Sequence, residues 1–313
     1  MKLATALLAV TQLVFTQAFA DSYPSKSIRI ITAEAGGGSD FASRLVAPAL
    51  ASGLGQQVLV DNRIGLIAPQ VVSKAPPDGY TLLLLGAALW LPPFMRDNVP
   101  YQVSDFLPVS LLTKAPNILV VHPQLPVRSV NELIALARSR PGELNFGTSG
   151  TGNSVHIAGE LFRVMAAVKI VRINYKGAAR ALTELCSGAV HMMFGVPGSV
   201  ASYVKAGRLR ALAVTTPEPS ILAPGLPTVA AAVPGYESVS YLAIFAPTGT
   251  SQSIVSRLHE EIARALARQD VKERFFIAGL EASPTTPDEL AAIVRSDSKK
   301  TGEFIRAAGI RAD

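Results

Sequence analysis

Two short loops hold the residues best suited to chemistry. The first reads Ala33-Glu34-Ala35-Gly36-Gly37-Gly38-Ser39-Asp40 and lies between an apolar β-rich run and a helical pattern. Three glycines let the backbone turn tightly and approach a guest, while the helix start offers unpaired N–H donors at the positive end of its dipole. That combination attracts anions and makes Glu34, Gly37, Gly38, Ser39 and Asp40 candidate contacts. A plain βα turn capped by Ser39 or Asp40 would read the same way, so this loop alone leaves both readings open. The second loop, Thr148-Ser149-Gly150-Thr151-Gly152-Asn153-Ser154, repeats the device and is followed by His156. It is dense in hydroxyls and amides and contains no acid. Two matching loops point to a small anion gripped from two sides.

Other chemistries fail on particular residues. No Lys-Ser/Thr follows either glycine loop, and neither loop spells G-x-G-x-x-G, which removes the usual nucleotide sites. Gly147-Thr148-Ser149-Gly150-Thr151 ends in Thr where a nucleophile elbow needs Gly. A hydrolase built on Ser149 or Ser154 with His156 as base is the enzyme alternative, but no orienting acid is identifiable, and His156 reads better as a helix-start hydrogen bonder. His122, His191 and His259 stand at spacings unsuited to metal binding, so neither metal nor cofactor is expected. Cys186, the only cysteine, lies in an apolar-periodic segment and reads as a buried thiol; Met192 and Met193 read as packing.

The elements that would position the loops alternate strand and helix, the pattern of a parallel sheet covered on both faces. Residues 28–32, 58–60 and 80–85 read as strands, with a helix over 41–50. A second series runs through strands at 117–121, 144–147, 170–173, 190–194 and 210–214, with helices over 130–138, 155–167, 178–187 and 199–206. A strand over 241–246 and three helical segments finish the chain. These predict two α/β lobes, each a mainly parallel sheet, with the ligand cleft between them at the carboxyl ends of the strands. The first lobe is expected over 21–121 plus 239–313 and the second over 122–238.

Bulk properties agree with an exported binding protein. Met1-Lys2, an apolar run to Phe15 and Ala18-Phe19-Ala20 form a secretory leader over residues 1–20, with cleavage expected after Ala20. No later stretch reaches the roughly 18 uninterrupted apolar residues of a membrane helix. The net charge of +6 is spread without a basic run, which argues against nucleic acid and mildly for anionic small ligands.

Many ordered segments carry a family resemblance. They include Tyr23-Pro24-Ser25-Lys26, Gly38-Ser39-Asp40, Asp61-Asn62-Arg63, Lys74-Ala75-Pro76-Pro77-Asp78-Gly79-Tyr80-Thr81-Leu82, Asp105-Phe106-Leu107-Pro108-Val109-Ser110 and Tyr175-Lys176-Gly177. Further on stand Lys205-Ala206-Gly207-Arg208-Leu209-Arg210-Ala211-Leu212-Ala213, Leu226-Pro227-Thr228-Val229 and Ala307-Ala308-Gly309-Ile310. The chain resembles the tripartite tricarboxylate transporter substrate-binding proteins, the Bug family. The resemblance implies a two-lobed periplasmic receptor of the type II-like binding-protein class. It would trap a carboxylate, act as a monomer without cofactor, and hand its ligand to membrane transporter subunits or a sensor receptor.

Departures from the family pattern bear on the ligand. Gly195 stands where relatives resembling amino-acid binders have an Asp to face an ammonium group. Gly86-Ala87-Ala88-Leu89-Trp90 replaces a hydroxyl-bearing segment, and Ile64-Gly65-Leu66-Ile67-Ala68 replaces a glycine-rich one. A drier wall suits an aromatic or apolar-bodied carboxylate better than an amino acid or citrate. Ala87, Ala88, Tyr175 and Gly195 therefore join the candidate site. Trp90 reads as core first and as a stacking platform second.

Overall fold

The computed structural model describes residues 23–311, so the expected leader and its cleavage point lie outside the described residues. The chain opens with β1 (Ile28–Thr32), α1 (Gly38–Leu54), β2 (Val58–Asn62), α2 (Ile67–Ser73), β3 (Thr81–Leu85), α3 (Pro92–Met95) and β4 (Phe106–Pro116). It continues with β5 (Ile118–Val121), α4 (Val130–Ser139), β6 (Asn145–Thr148), α5 (Ser154–Met165), β7 (Val171–Asn174), α6 (Ala178–Ser187), β8 (Met192–Gly195), α7 (Pro197–Lys205) and β9 (Arg210–Val214). β10 (Val239–Pro247), α8 (Gln252–Ala267), α9 (Gln269–Ile277), β11 (Glu281–Ala282) and α10 (Pro287–Ala307) complete it.

Two sheets result, each flanked by helices. Six strands order as β11-β4-β10-β3-β1-β2, and five as β7-β6-β8-β5-β9. β1, β2 and β3 are parallel, as are β6, β7 and β8, while β10 and β5 run antiparallel to their neighbours. Both sheets are thus mixed, each with a parallel set of strands, in keeping with the expected pair of α/β lobes. Of the antiparallel strands, β5 and β10 flank the crossings between lobes, while β11 pairs with β4 at the sheet edge.

Alternation explains the layers. In β3, Leu83 and Leu85 join Ile31 and Phe245 on one face of the first sheet, while Leu82 and Leu84 join Ile30 and Ile244 on the other. Each such side chain, taken fully from water, contributes roughly 1.5 to 3 kcal/mol before entropy is counted. The first cluster continues through Ile118, Leu119, Phe146 and Phe194 into the second lobe, so one apolar core runs past the crossings.

The expected lobe boundary shifts. The expected first lobe includes residues 118–121, whereas β5 pairs with β8 and β9 in the five-stranded sheet, and the chain passes between the sheets at Asn117. The long strand β4 escapes periodicity because Pro108 and Pro116 interrupt it. Register shifts near Val109 and Leu112 let it bulge against β10 without breaking the pairing.

The crossings decide which way the loops face. Ala243 pairs with Leu85, so Val239 to Leu242 project beyond the carboxyl end of β3, and Pro116 pairs with Val239 at that same edge. On the other side Ile118 pairs with Gly195, the carboxyl end of β8. The chain therefore leaves one sheet and enters the other at their carboxyl edges. The loops after β1, β2, β3, β6, β7 and β8 leave those same carboxyl edges, and the segments after β3 and β6 contribute Ala87, Leu91 and Ser154 to a shared cavity.

Candidate functional site

The first loop is organised by Asp40. Its Oδ2 accepts the Gly36 N–H at 2.9 Å, and its Oδ1 accepts Arg44 Nε at 2.8 Å and Asn62 Nδ2 at 2.9 Å. Asn62 also donates to the Ala33 carbonyl at 2.7 Å, fastening the loop to the end of β2. Burial pushes the Asp40 carboxyl up, but the Gly36 N–H, the Asn62 amide and the Arg44 guanidinium together hold it below its ordinary 3.8. Gly37 is the N-cap of α1 and supplies no side-chain cap. The amides of Gly38 and Ser39, in the first turn, are left for a guest. Asp40 is thus an organiser of the loop, Ser39 is buried with its carbonyl accepting from Ser43 Oγ at 2.7 Å, and Glu34 is half-buried.

The second loop is held by neutral groups. Asn153 caps α5, its Oδ1 accepting the His156 N–H at 3.0 Å, and its Nδ2 donates to Ser149 Oγ at 3.2 Å. Thr148 Oγ1 donates to Asn174 Oδ1 at 3.0 Å, and Asn174 Nδ2 reaches Thr151 Oγ1 at 3.5 Å. Gly150 and Gly152 adopt positive φ, 146° and 84°, which a side chain would strain. The amides of Ser154 and Val155 begin α5 without an intrahelical acceptor.

His156 is fully buried and holds the loop. Its Nδ1 accepts the Gly152 N–H at 3.0 Å, while Nε2 lies 2.5 Å from Arg172 Nη1 and 4.0 Å from Glu160 Oε1. With both ring nitrogens engaged away from the loop hydroxyls, it cannot take a proton from Ser149 or Ser154, and Ser154 Oγ instead faces Asn117 Oδ1 at 3.4 Å. The hydrolase geometry fails here.

Other expected residues divide. The Tyr175 ring lies over Gly147, 3.6 Å from where a Cβ there would stand, and its hydroxyl pKa is raised by burial and Glu184 against the opposing pull of Arg180. Gly195 faces inward, since an added Cβ would meet Val200 Cγ1 at 2.5 Å; Val200 fills the space where a side chain would begin. Ala87 and Ser154 line a common interlobe cavity of about 190 Å³, which the first loop does not line. Ala88 is half-buried, its carbonyl 3.4 Å from Tyr101 Oη. Trp90 is fully buried and donates Nε1–H to Asp297 Oδ2 at 2.6 Å, which makes it core rather than a stacking platform.

The lobes touch through small residues. A Cβ at Gly152 would lie 3.0 Å from Met95 Cε, and one at Gly198 only 1.9 Å from the Ala278 carbonyl oxygen. At the crossings, Thr215 Oγ1 accepts the Asn117 N–H at 2.7 Å and donates to the Ser238 carbonyl at 2.6 Å. The backbones of Asn117, Thr215 and Ser238 add bonds of 2.9 Å. Asn117 also reaches the Ser154 carbonyl at 3.5 Å, linking the crossing to the start of α5. Sequence reasoning missed Asn62, Asn117, Asn174 and Thr215. The one available signal was a polar residue that ends a strand, as Asn62 and Asn174 do, or directly follows one, as Asn117 and Thr215 do.

Residues 42–310 match the model of the tripartite tricarboxylate transporter family receptor. The chain belongs to this family. Its members are solute-binding receptors, not enzymes, so the hydrolase alternative falls on this ground too. Protein BugT of Bordetella pertussis is 33% identical over 300 residues, covering 93% of this chain and 92% of BugT. A structure of R. palustris Rpa4515 with adipate superposes with a TM-score of 0.86 at 33% identity, covering 93% of this chain and all of that one. MatC from Rhodopseudomonas palustris with bound malate gives 0.83 at 25% identity, covering 90% of this chain and all of MatC. Among the described residues no helix of this receptor is long and apolar enough to cross a membrane.

Proposed function

We propose that this receptor is exported with removal of its leader after Ala20, captures a small carboxylate in the periplasm between its two lobes, and delivers it to a membrane transporter. What supports the reading is that both helix entrances, at Gly38-Ser39 and Ser154-Val155, follow strands whose carboxyl ends lie at the edges where the chain crosses between the two sheets. Each hydrogen bond to a carboxylate contributes roughly 1.5 to 3 kcal/mol. Four or five would supply the roughly 8 kcal/mol of micromolar binding after ordering costs. Similarity to Rpa4515 with adipate and MatC with malate supports the ligand class.

The body of the ligand is apolar or aromatic. Ala87 and Leu91 bring apolar side chains to the cavity after β3, and Ile157, Leu161 and Ile293 extend that apolar surface beside a wall that also carries Ser154, Ser238, Tyr241, Ser296 and Thr301. Gly195 and Val200 leave no acid for an α-ammonium group. Closure follows binding because only the closed form lets both entrances grip one carboxylate. Thermal-shift titration with adipate, malate, benzoate and alanine tests this. At a hundredfold excess over Kd a true ligand stabilises the fold by about 2.7 kcal/mol. Adipate or benzoate is expected to raise the melting temperature and alanine to leave it unchanged. The doubly substituted Ser149→Ala, Thr151→Ala protein should lose most of the shift; an undiminished shift would place the carboxylate elsewhere.

A further inference from the structure

The two crossings between lobes are stitched together by one side chain. On the first-lobe side Pro116 and Val239 pair in the ladder of β4 and β10, and on the second-lobe side Ile118 pairs with both Gly195 and Val214. Thr215, the residue after β9, stands between these pairings. Its N–H donates to the Asn117 carbonyl and its carbonyl accepts the Ser238 N–H, each at 2.9 Å. Its hydroxyl accepts the Asn117 N–H at 2.7 Å and gives its one hydrogen to the Ser238 carbonyl at 2.6 Å. Four bonds thus fasten both crossing residues to one residue of the second lobe. Asn117, Thr215 and Ser238 are all buried, so water does not replace a bond lost there.

The Asn117 side chain points the other way, to the start of α5. Its Nδ2 reaches the Ser154 carbonyl at 3.5 Å, and its Oδ1 faces Ser154 Oγ at 3.4 Å. Both distances exceed the usual limit of about 3.2 Å, so a small shift at the crossing makes these bonds or breaks them. Ser154 is the first residue of α5 and carries one of the unpaired amides of the second entrance. Ser154 and Ser238 line the same interlobe cavity. The path from Ser154 through Asn117 and Thr215 to Ser238 therefore joins an entrance residue to a crossing residue, and both ends face one cavity.

Resting on the two-lobed receptor reading above, we infer that Asn117 and Thr215 are positioning residues for ligand capture. Thr215 makes the two crossings a single joint, and Asn117 converts the angle of that joint into the placement of Ser154 at the second entrance. A guest seated against Ser154 and Ser238 acts on both ends of the path, so occupancy and lobe angle are coupled.

Hydrogen exchange on the ligand-free protein tests the coupling without any assumption about the ligand. The amides of His156 and Ile157, bonded to Asn153 Oδ1 at 3.0 Å and to the Asn153 carbonyl at 3.1 Å, report on the second entrance. The Phe41 amide, bonded to the Gly37 carbonyl at 3.0 Å, reports on the first and serves as the control. Thr215→Val keeps the side-chain shape and removes the hydroxyl. It should speed exchange at Asn117, His156 and Ile157 about fivefold, leave Phe41 unchanged, and be reversed in Thr215→Ser. Asn117→Ala should speed His156 and Ile157 while the Ser238 amide, still bonded to Thr215, keeps its protection. Unchanged rates at His156 and Ile157 in both Thr215→Val and Asn117→Ala would overturn the assignment, and so would equal acceleration at Phe41, which marks a general loosening of the fold. Calorimetric titration with adipate adds a second readout: affinity should fall about fivefold in Thr215→Val and Asn117→Ala and stay near wild type in Thr215→Ser. Equal affinity in all four proteins would overturn the coupling and leave the carboxylate receptor standing. Failure of adipate, malate and benzoate alike to bind the wild type would count against the carboxylate reading, and the exchange rates would still decide the coupling.

Discussion

At the start of α1 a single buried carboxylate does the ordering, whereas the loop at the start of α5 is held by amides, hydroxyls and one histidine. Asp40 gathers Gly36, Arg44 and Asn62 onto two oxygens, so the first loop depends on one side chain. The second distributes the task over Asn153, Ser149, Thr148, Asn174 and His156. A carboxylate beside an anion site is tolerable because the Arg44 cation and two further N–H donors, from Gly36 and Asn62, compensate it. The second loop, residues 148–154, carries no charge of its own, and the nearest cation it uses acts through His156, whose Nε2 lies 2.5 Å from Arg172 Nη1. The two entrances can therefore present similar bare amides while failing in different ways.

The largest effect should come from Asp40→Ala. It leaves the Gly36 N–H without its acceptor and takes one bond each from Asn62, which keeps the Ala33 carbonyl, and from Arg44, which keeps Asn62 Oδ1. Bonds to charged groups contribute roughly 1.5 to 3 kcal/mol each, but Arg44 is largely solvated and its share is small, so we expect a loss near 3 kcal/mol in urea unfolding. Asp40→Asn keeps one acceptor and should lose about half as much. His156→Ala comes next at about 2 kcal/mol, from the stranded Gly152 N–H and the space left in a buried site. His156→Gln, which can accept the same N–H, should recover part of that loss. A larger loss at His156 than at Asp40 would invert the comparison and make the second loop the more centralised of the two.

A milder cut separates local from shared support. Asn153→Ala removes the cap of α5 and the bond to Ser149 but leaves Thr148 to Asn174 and Gly152 to His156 in place. Losing a cap costs about 1 kcal/mol, and the remaining bonds should hold the effect there. Equilibrium unfolding checks the value, and ligand titration checks whether the loop has lost its shape. A loss as large as that of Asp40→Ala would mean that the second loop is not distributed at all.

These contrasts mark what the sequence could reveal. Strand and helix periodicity located β1, β9 and α6 to the residue and most others within two, because apolar spacing reports which face is buried. Both glycine loops were legible for the same reason: each follows a readable strand and precedes a readable helix. The role of Asp40 was not, since an acid at a helix start reads equally as a ligand contact, a cap or an organiser. Its choice depends on Asn62, twenty-two positions away, reaching back across β2. Asn117 and Thr215 were invisible because their meaning lies in pairing across 98 positions, and β4 was masked by its prolines. Gly195 was read as an absent acid, yet the space such a side chain needs belongs to Val200, five residues along in the following helix.

Acid should separate the loops by the smallest margin. The folded Asp40 sits below its ordinary 3.8, so as pH falls the unfolded chain takes up this proton first and the native state loses ground. Its contribution is complete above that ordinary value and disappears as pH falls through the folded pKa. The second loop, Thr148 to Ser154, contains no carboxylate and supplies no such term. Because Asp40→Asn retains every other acid, the stability gap between wild type and this variant isolates the one group. Urea midpoints measured from about pH 6 to about pH 3 should show that gap constant at first and narrowing below about pH 4. The narrowing should be modest, since a protonated Asp40 still accepts from Gly36 and Asn62. A gap that stayed constant down to pH 3 would mean that the charge is not what orders the first entrance, and the contrast between the entrances would reduce to a count of hydrogen bonds.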